Sequence, residues 1–160
     1  MSTARFALAP VPNREGGAAS RSHVLFDNKQ TGLVLEGTVL ARQYETYSGF
    51  LLWLTCDEQL SHLNGESLQI YLVSPGVTVL DVRSLRVSSF SAATLENLFK
   101  TGDDVFQFTF LDRWQLSVRK KPRFQIIRRA YEWGESGTPS IHHTAFFAHR
   151  YLELERVRQV

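Results

Sequence analysis

The chain has 160 residues, of which 43% are hydrophobic and 21% are charged, and its formal net charge is +2. This length suits a single domain, and no apolar run approaches the roughly 20 residues that a membrane-spanning helix needs. One cysteine, Cys56, excludes an internal disulfide and a paired-cysteine zinc site. It favours a reducing compartment, and we expect a cytoplasmic protein.

The first 22 residues predict a flexible N-terminal tail, followed by one β-rich domain over residues 23–160. The tail is rich in Ala, Gly, Pro, Ser and Arg, a composition typical of disordered termini. Phe6 and Leu8 are its apolar residues with the best opportunity to dock onto the domain.

Short β-prone segments, separated by turn residues, make up the first part of the domain. Residues 23–27 predict a short strand, and residues 33–47 predict a long run with Gly37 at a bulge or bend. Residues 50–55 are almost continuously hydrophobic, which predicts a central strand covered on both faces.

The middle of the chain continues the strand pattern and then departs from it. Residues 67–73 alternate between apolar and polar, and residues 77–87 predict a further strand. Residues 91–99 are the least strand-like. Leu95, Leu98 and Phe99 have a spacing compatible with one short helix.

Residues 105–118 predict a β-hairpin with one strongly apolar face. Phe106, Phe108 and Phe110 alternate with polar residues, and so do Trp114, Leu116 and Val118. Opposed residues of an antiparallel pair share a face, so we expect a three-residue turn, 111–113, that sets Phe110 opposite Trp114. Without a glycine in this turn, Asp112 or Arg113 would adopt the left-handed conformation.

The last third predicts a strand at residues 124–131 and leaves residues 141–157 open between strand and helix. Leu152 and Leu154 alternate with glutamates, and we favour the strand. The pattern as a whole predicts an all-β, mainly antiparallel fold: a single-domain β-sandwich or flattened barrel of about nine strands, with one short helix near 91–99.

The sequence indicates neither a catalytic nor a metal site. His142, His143 and His149 lack the spacing of metal ligands, because neighbours on a strand point to opposite faces. Nothing around Cys56 marks an activated thiol, and Asp103, Asp104 and Asp112 are interpreted as acidic turn residues. No nucleotide-binding or hydrolase motif is present, so we expect no cofactor and no enzymatic activity.

The strongest candidate for a binding site is a basic stretch at residues 113–129. It contains seven cations and no acid within 17 residues. Residues 36–112 carry 10 acids and 4 bases, net −6, whereas residues 113–160 carry 10 bases and 4 acids, net +6. The candidate binding residues are Arg113, Arg119, Lys120, Lys121, Arg123, Arg128, Arg129 and Trp133.

Three functions compete for this surface, beside the alternative that the two charged halves simply pair across strands. We favour a non-enzymatic protein-binding module with an acidic partner, such as a stoichiometric inhibitor of the kind that bacterial immunity proteins represent. A small-molecule-binding barrel, lined near Trp53, Phe108 and Trp114, is the second hypothesis. Nucleic-acid binding through residues 113–129 is the third.

Overall fold

A computed structural model describes residues 5–12, 20–56, 67–87, 93–126, 131–132, 140–142 and 147–158. These residues form thirteen strands in three antiparallel sheets, with no helix among them, and the predicted all-β class is confirmed. The strands are β1 Phe6–Pro10, β2 Arg21–Phe26, β3 Lys29–Glu36, β4 Val39–Thr46, β5 Gly49–Thr55, β6 Ser67–Val73, β7 Val79–Arg86, β8 Glu96–Gly102, β9 Val105–Phe110, β10 Asp112–Ile126, β11 Tyr131–Glu132, β12 Ser140–His142 and β13 Phe147–Arg156.

The strand count exceeds the expected nine because several predicted runs are divided and others were not anticipated. Gly37 splits the long run at 33–47 into β3 and β4. It adopts a positive φ of 115°, and a Cβ at this position would lie 2.7 Å from Cβ of Leu54. The short pair β11 and β12 extends the six-stranded sheet, whose order is β11-β12-β7-β6-β5-β4.

The six-stranded sheet is covered on both faces, as the apolar run of β5 predicts. Leu51 and Trp53 belong to a core shared with the four-stranded sheet β13-β10-β9-β8. Phe50, Leu52 and Leu54 belong to a second core shared with the three-stranded sheet β1-β2-β3. Because successive side chains of a strand point to opposite faces, one strand supplies both cores.

Residues 6–10 form β1, although the sequence placed them in a flexible tail. The strand pairs with β2, and Phe6 is only 2% exposed, with its ring centroid 4.7 Å from that of Phe26. The Gln43 amide of β4 accepts from the backbone N–H of Phe6 at 3.0 Å and donates to its carbonyl at 3.2 Å. Burial of the Phe6 ring and the two hydrogen bonds with Gln43 hold in place a segment that composition alone assigns to a flexible tail.

A buried tyrosine makes a second link to the three-stranded sheet. The Tyr71 hydroxyl of β6 accepts from the backbone N–H of Glu36 at 3.1 Å. Burial of the phenol raises the pKa of Tyr71 to about 12, so the hydroxyl stays protonated at neutral pH.

The helix expected near residues 91–99 is not formed. Residues 93–95 have no regular structure and residues 96–102 form β8; residues 91 and 92 lie outside the described part. β8 pairs with β9 along the edge of the four-stranded sheet, so tertiary pairing overrides a weak local helix pattern. The strand interpretation of the 141–157 segment is confirmed over 147–156 by β13.

In the β9–β10 hairpin, the apolar residues lie on one face as predicted, but the two strands pair in a different register from the predicted one. Phe108 pairs with Trp114 and Phe106 with Leu116, so the prediction of Phe110 opposite Trp114 is wrong by one pair. All the apolar residues still share the core face. Leu111, rather than Asp112 or Arg113, has the left-handed conformation, at φ 62°. The tighter turn lets Trp114 Nε1 donate to the Phe110 carbonyl at 3.2 Å.

Candidate functional site

The basic stretch coincides with a large bulge in β10. Val118 pairs with Leu152 and Arg123 pairs with Arg150, so residues 119–122 face Tyr151 alone. Pro122 lies within this bulge and has no N–H to donate to a ladder. Beyond the bulge the strand continues to Ile126 against β13, with all residues from Lys120 to Ile126 exposed.

A buried carboxylate supports β13 opposite the bulge. Asp81 of β7 accepts from the backbone N–H groups of Tyr151 at 2.8 Å and Leu152 at 2.9 Å. It also accepts from Nη1 of Arg150 at 2.8 Å, and this ion pair is almost fully buried. The carboxylate therefore joins the six-stranded sheet to the four-stranded sheet at the level where the β10 ladder is interrupted.

Two arginines complete this junction. Arg150 Nη1 also donates to the carbonyl of Val82 at 3.1 Å, and Arg83 Nε donates to the carbonyl of Leu152 at 3.0 Å. Both residues are buried, at 5% and 7% exposure. Arg150 Nε, however, is buried and has no hydrogen-bond partner among the residues that the structure describes.

A groove of about 530 Å³ opens beside the junction. Its polar wall contains Arg83, Arg119, Arg123, Arg150, Glu153 and Glu155, so these six ionised side chains carry a net charge of +2 (four cations, two anions). Phe124, Ile126 and Leu154 are the hydrophobic residues of the lining. The groove thus combines concentrated positive charge with a hydrophobic surface.

The bulge is fastened to neighbouring turns. The Arg119 carbonyl accepts from Ser48 Oγ at 2.6 Å, and the Arg119 guanidinium pairs with Glu153. Lys120 Nζ lies 4.6 Å from the centroid of the Tyr47 ring, a cation–π distance. Tyr47 N–H in turn donates to Asp104 at 2.8 Å. Several contacts therefore fix the position from which the cations project.

The structure brings only some of the predicted binding residues together. Arg119 and Arg123 line the groove, and Lys120 and Lys121 lie on the bulge beside it. Arg113 is exposed near the hairpin turn, in register with Thr109. The predicted residues Arg128, Arg129 and Trp133 lie outside the described residues.

Arg83 and Arg150 were missed because they come from other parts of the chain. Neither belongs to a run of cations. The available signal was Asp81 and Arg83, two charged residues at the same parity that alternate with Leu80 and Val82 in β7. Same-parity residues share a face, so this pair indicated a polar contact on a buried strand.

Ion pairing across strands accounts for part of the charge segregation. Arg150–Asp81 and Arg156–Asp112 each join a base of the positive half to an acid of the negative half. Arg113, Lys121 and Arg123 are exposed and make no ion pair with any described residue. Cross-strand pairing and an exposed cationic surface therefore coexist.

The other residues considered in the sequence lie in the hydrophobic core or contact neighbouring side chains. Trp53, Phe108 and Trp114 are at most 2% exposed within the aromatic core, with Trp53 and Phe108 ring centroids 4.8 Å apart. Asp104 is held by Tyr47 and Lys100, and Asp112 by Arg156. Cys56 is half-buried, with Sγ 3.9 Å from Ser67 Oγ.

Within the described part of the chain, no three His, Cys, Asp or Glu residues cluster as metal ligands. His149 is exposed beside the Phe124 ring, and His143 lies outside the described residues. The same part of the chain contains no helix long and apolar enough to cross a bilayer.

No protein-family model matches this chain, and neither the curated proteins nor the solved structures include a significant match to it.

Proposed function

We propose that this protein is a non-enzymatic protein-binding module that contacts an acidic partner through the outer part of β10, residues 120–126. The observation that carries the proposal is the exposure of this strand segment. Phe124 and Ile126 are 56% and 60% exposed, and Lys120, Lys121 and Arg123 are exposed around them. Aromatic and arginine side chains are enriched at the energetic centres of protein interfaces.

The backbone of this surface is positioned before any partner arrives. Residues 123–126 are paired with Arg150, His149, Ala148 and Phe147 of β13, and the bulge is held by Ser48 and Tyr47. A preorganised surface loses less conformational entropy on binding than a flexible one. Its positive charge would accelerate encounter with an acidic partner and make the association rate depend on salt.

A protein partner is favoured over a nucleic acid by the composition of the same surface. Ile126 is exposed on this surface beside the cations, and an aliphatic side chain suits the apolar centre of a protein interface, whereas single-stranded nucleic acids are bound mainly by cations and aromatic rings. An inhibitor that neutralises one partner stoichiometrically, as a bacterial immunity protein does, is the specific form of the proposal, and the cytoplasm is the compartment that we propose.

The test compares capture of partners from a lysate of the native host by the tagged full-length chain and by surface variants. We expect the unmodified chain to recover one acidic protein at near-equal stoichiometry. Arg123→Glu and Phe124→Ser should each weaken that complex by about 30-fold, because loss of an interface anchor costs about 2 kcal/mol.

Matched controls come from exposed residues elsewhere. Arg42→Glu on β4 and Phe99→Ser on β8 make the same substitutions at exposed sites outside the surface. They should retain the partner. Equal loss in the controls, or recovery of nucleic acid in place of a protein, would contradict the proposal.

A further inference from the structure

We propose that the groove between β7, β10 and β13 is a binding site for a small organic oxyanion, a carboxylate or phosphate attached to an apolar body. Arg150 supplies the central contact and Arg119 a second. This site shares Arg123, Phe124 and Ile126 with the proposed protein contact of residues 120–126, but it is tested on the purified chain without any partner protein.

The Arg150 guanidinium has one edge that is used within the protein and one that is not. Its hydrogen bonds to Asp81 and Val82 both use Nη1. Nε and Nη2 form the opposite edge of the planar group, and Nε is buried without a partner. Two parallel donors on one guanidinium edge match the two oxygens of a carboxylate or a phosphate. Since Arg150 lines the groove, an oxyanion there could satisfy this edge.

A second arginine of the groove, Arg119, also has an Nε without a partner. Arg119 uses Nη2 to bind Glu153, and its Nε is also buried without a partner. Buried polar atoms in folded proteins are almost always satisfied by protein, water or a ligand. Arg119 and Arg150 line the same groove, so their two unsatisfied Nε atoms point to one shared acceptor.

The charges around the groove also favour an anion. Asp81 and Glu153 each engage one of the two arginines, and Glu155 also borders the groove. Counting Asp81 with the four arginines and two glutamates of the lining leaves a net charge of +1. The site therefore retains positive charge after its internal ion pairs are counted, which favours an anion over a cation.

The size and the hydrophobic residues of the groove indicate what the rest of the ligand is. A volume of about 530 Å³ is much larger than a single carboxylate group and lies in the range of sites for small organic molecules. Phe124, Ile126 and Leu154 are the hydrophobic residues of the lining. A ligand with an oxyanion and an aromatic or aliphatic body would match both the arginines and these hydrophobic residues.

The experiment titrates the full-length chain with defined probes and follows the arginine Nε–H signals by nuclear magnetic resonance. The probes are acetate and inorganic phosphate for the head group alone, benzoate and phenyl phosphate for head and body together, and benzylamine as the cation of similar shape. All titrations are carried out at constant ionic strength, since unspecific anion effects follow total salt.

We expect saturable shifts of the Arg150 and Arg119 Nε–H signals with the anions. Benzoate or phenyl phosphate should bind about tenfold more tightly than acetate or phosphate, because the ring is buried against the hydrophobic residues of the lining. The better of the two aromatic probes identifies the head group as carboxylate or phosphate. Binding of benzylamine with equal affinity would overturn the proposal, and so would absence of a saturable shift at about 20 mM of every anion.

Variants separate the site from general electrostatics. Arg119→Gln and Arg123→Gln should each weaken anion binding about tenfold, the loss of one charged hydrogen bond. Arg113→Gln removes an exposed cation near the hairpin turn and should bind like the unmodified chain. Equal weakening by all three would show that overall charge, rather than the groove, attracts the anion and would overturn the assignment.

Arg150→Lys tests the central contact. A lysine can still pair with Asp81 but lacks the two-donor edge, so binding should fall by more than tenfold while the backbone spectrum stays folded. If this variant does not fold, the Arg119 and Arg123 variants with the Arg113 control still decide the outcome.

Discussion

Asp81 shows how much a single side chain can organise in a β-sheet protein. One carboxylate accepts hydrogen bonds from two backbone N–H groups of β13 and from the guanidinium of Arg150. A buried charge is costly unless its acceptor positions are occupied, and here both oxygens have donors. Asp81 therefore links two sheets through hydrogen bonds where the β10 bulge interrupts the strand ladder.

Replacing Asp81 by asparagine should lower the free energy of unfolding by about 3–5 kcal/mol, because it leaves the buried Arg150 charge uncompensated. Asp112→Asn is the matched control. Asp112 pairs with Arg156 at 3.2 Å, but both side chains are about one-third exposed, so its loss should cost under about 1 kcal/mol. Urea denaturation measures the free energy of unfolding of both variants, and unchanged m-values would show that only stability has changed. A similar cost for the two would show that Asp81 does not join the sheets.

The β9–β10 hairpin separates what a sequence pattern determines from what it does not. Alternation of Phe, Trp, Leu and Val specifies which side chains share the core face, and this parity is confirmed. The predicted and observed registers differ by one pair, and both keep the same residues on that face. The face on which each side chain lies therefore cannot distinguish the two registers. The turn determines the register, and in the observed turn Leu111 adopts the left-handed conformation, which leucine disfavours.

Leu111→Gly should raise the free energy of unfolding by about 1 kcal/mol, since glycine adopts a positive φ without steric cost. Leu111 is 40% exposed, so little buried surface is lost. Arg113→Gly is the control: Arg113 is exposed but lies in the ladder opposite Thr109, and it should destabilise by about 0.5–1 kcal/mol. Thermal and urea unfolding give both values. If Leu111→Gly destabilised the protein as much as Arg113→Gly does, this result would contradict the left-handed conformation of Leu111.

The candidate groove was only partly accessible to prediction because its residues meet through tertiary pairing. A basic stretch is visible in the sequence, and Arg119 and Arg123 of that stretch do line the groove. The bulge that redirects residues 119–122 depends on how β10 pairs with β13, about 30 residues later. Arg83 and Arg150 come from two further strands and become neighbours only when the sheets pack.

At the scale of the whole molecule, the sequence predicts strands more readily than it predicts how many layers they form. The apolar run of β5 requires cover on both faces, yet nothing local identifies β1–β3 as one cover and β8–β10 with β13 as the other. The N-terminal strand is the clearest example. Its five residues contain Phe6 and Leu8 at alternating positions, too short a pattern to outweigh the polar and small residues that surround it.

Phe6→Ala tests whether this strand is part of the domain. Phe6 packs against Phe26 and Phe50, with ring centroids 4.7 and 5.1 Å away, so its removal should cost about 3–5 kcal/mol in urea unfolding. Phe99→Ala, at a phenylalanine that is 50% exposed, should cost far less, under about 1 kcal/mol. Deletion of residues 1–11 should destabilise at least as much as Phe6→Ala, because it also removes the β1 ladder on β2. A flexible tail predicts the opposite result: unfolding midpoints of Phe6→Ala and of the deletion that coincide with that of the full chain.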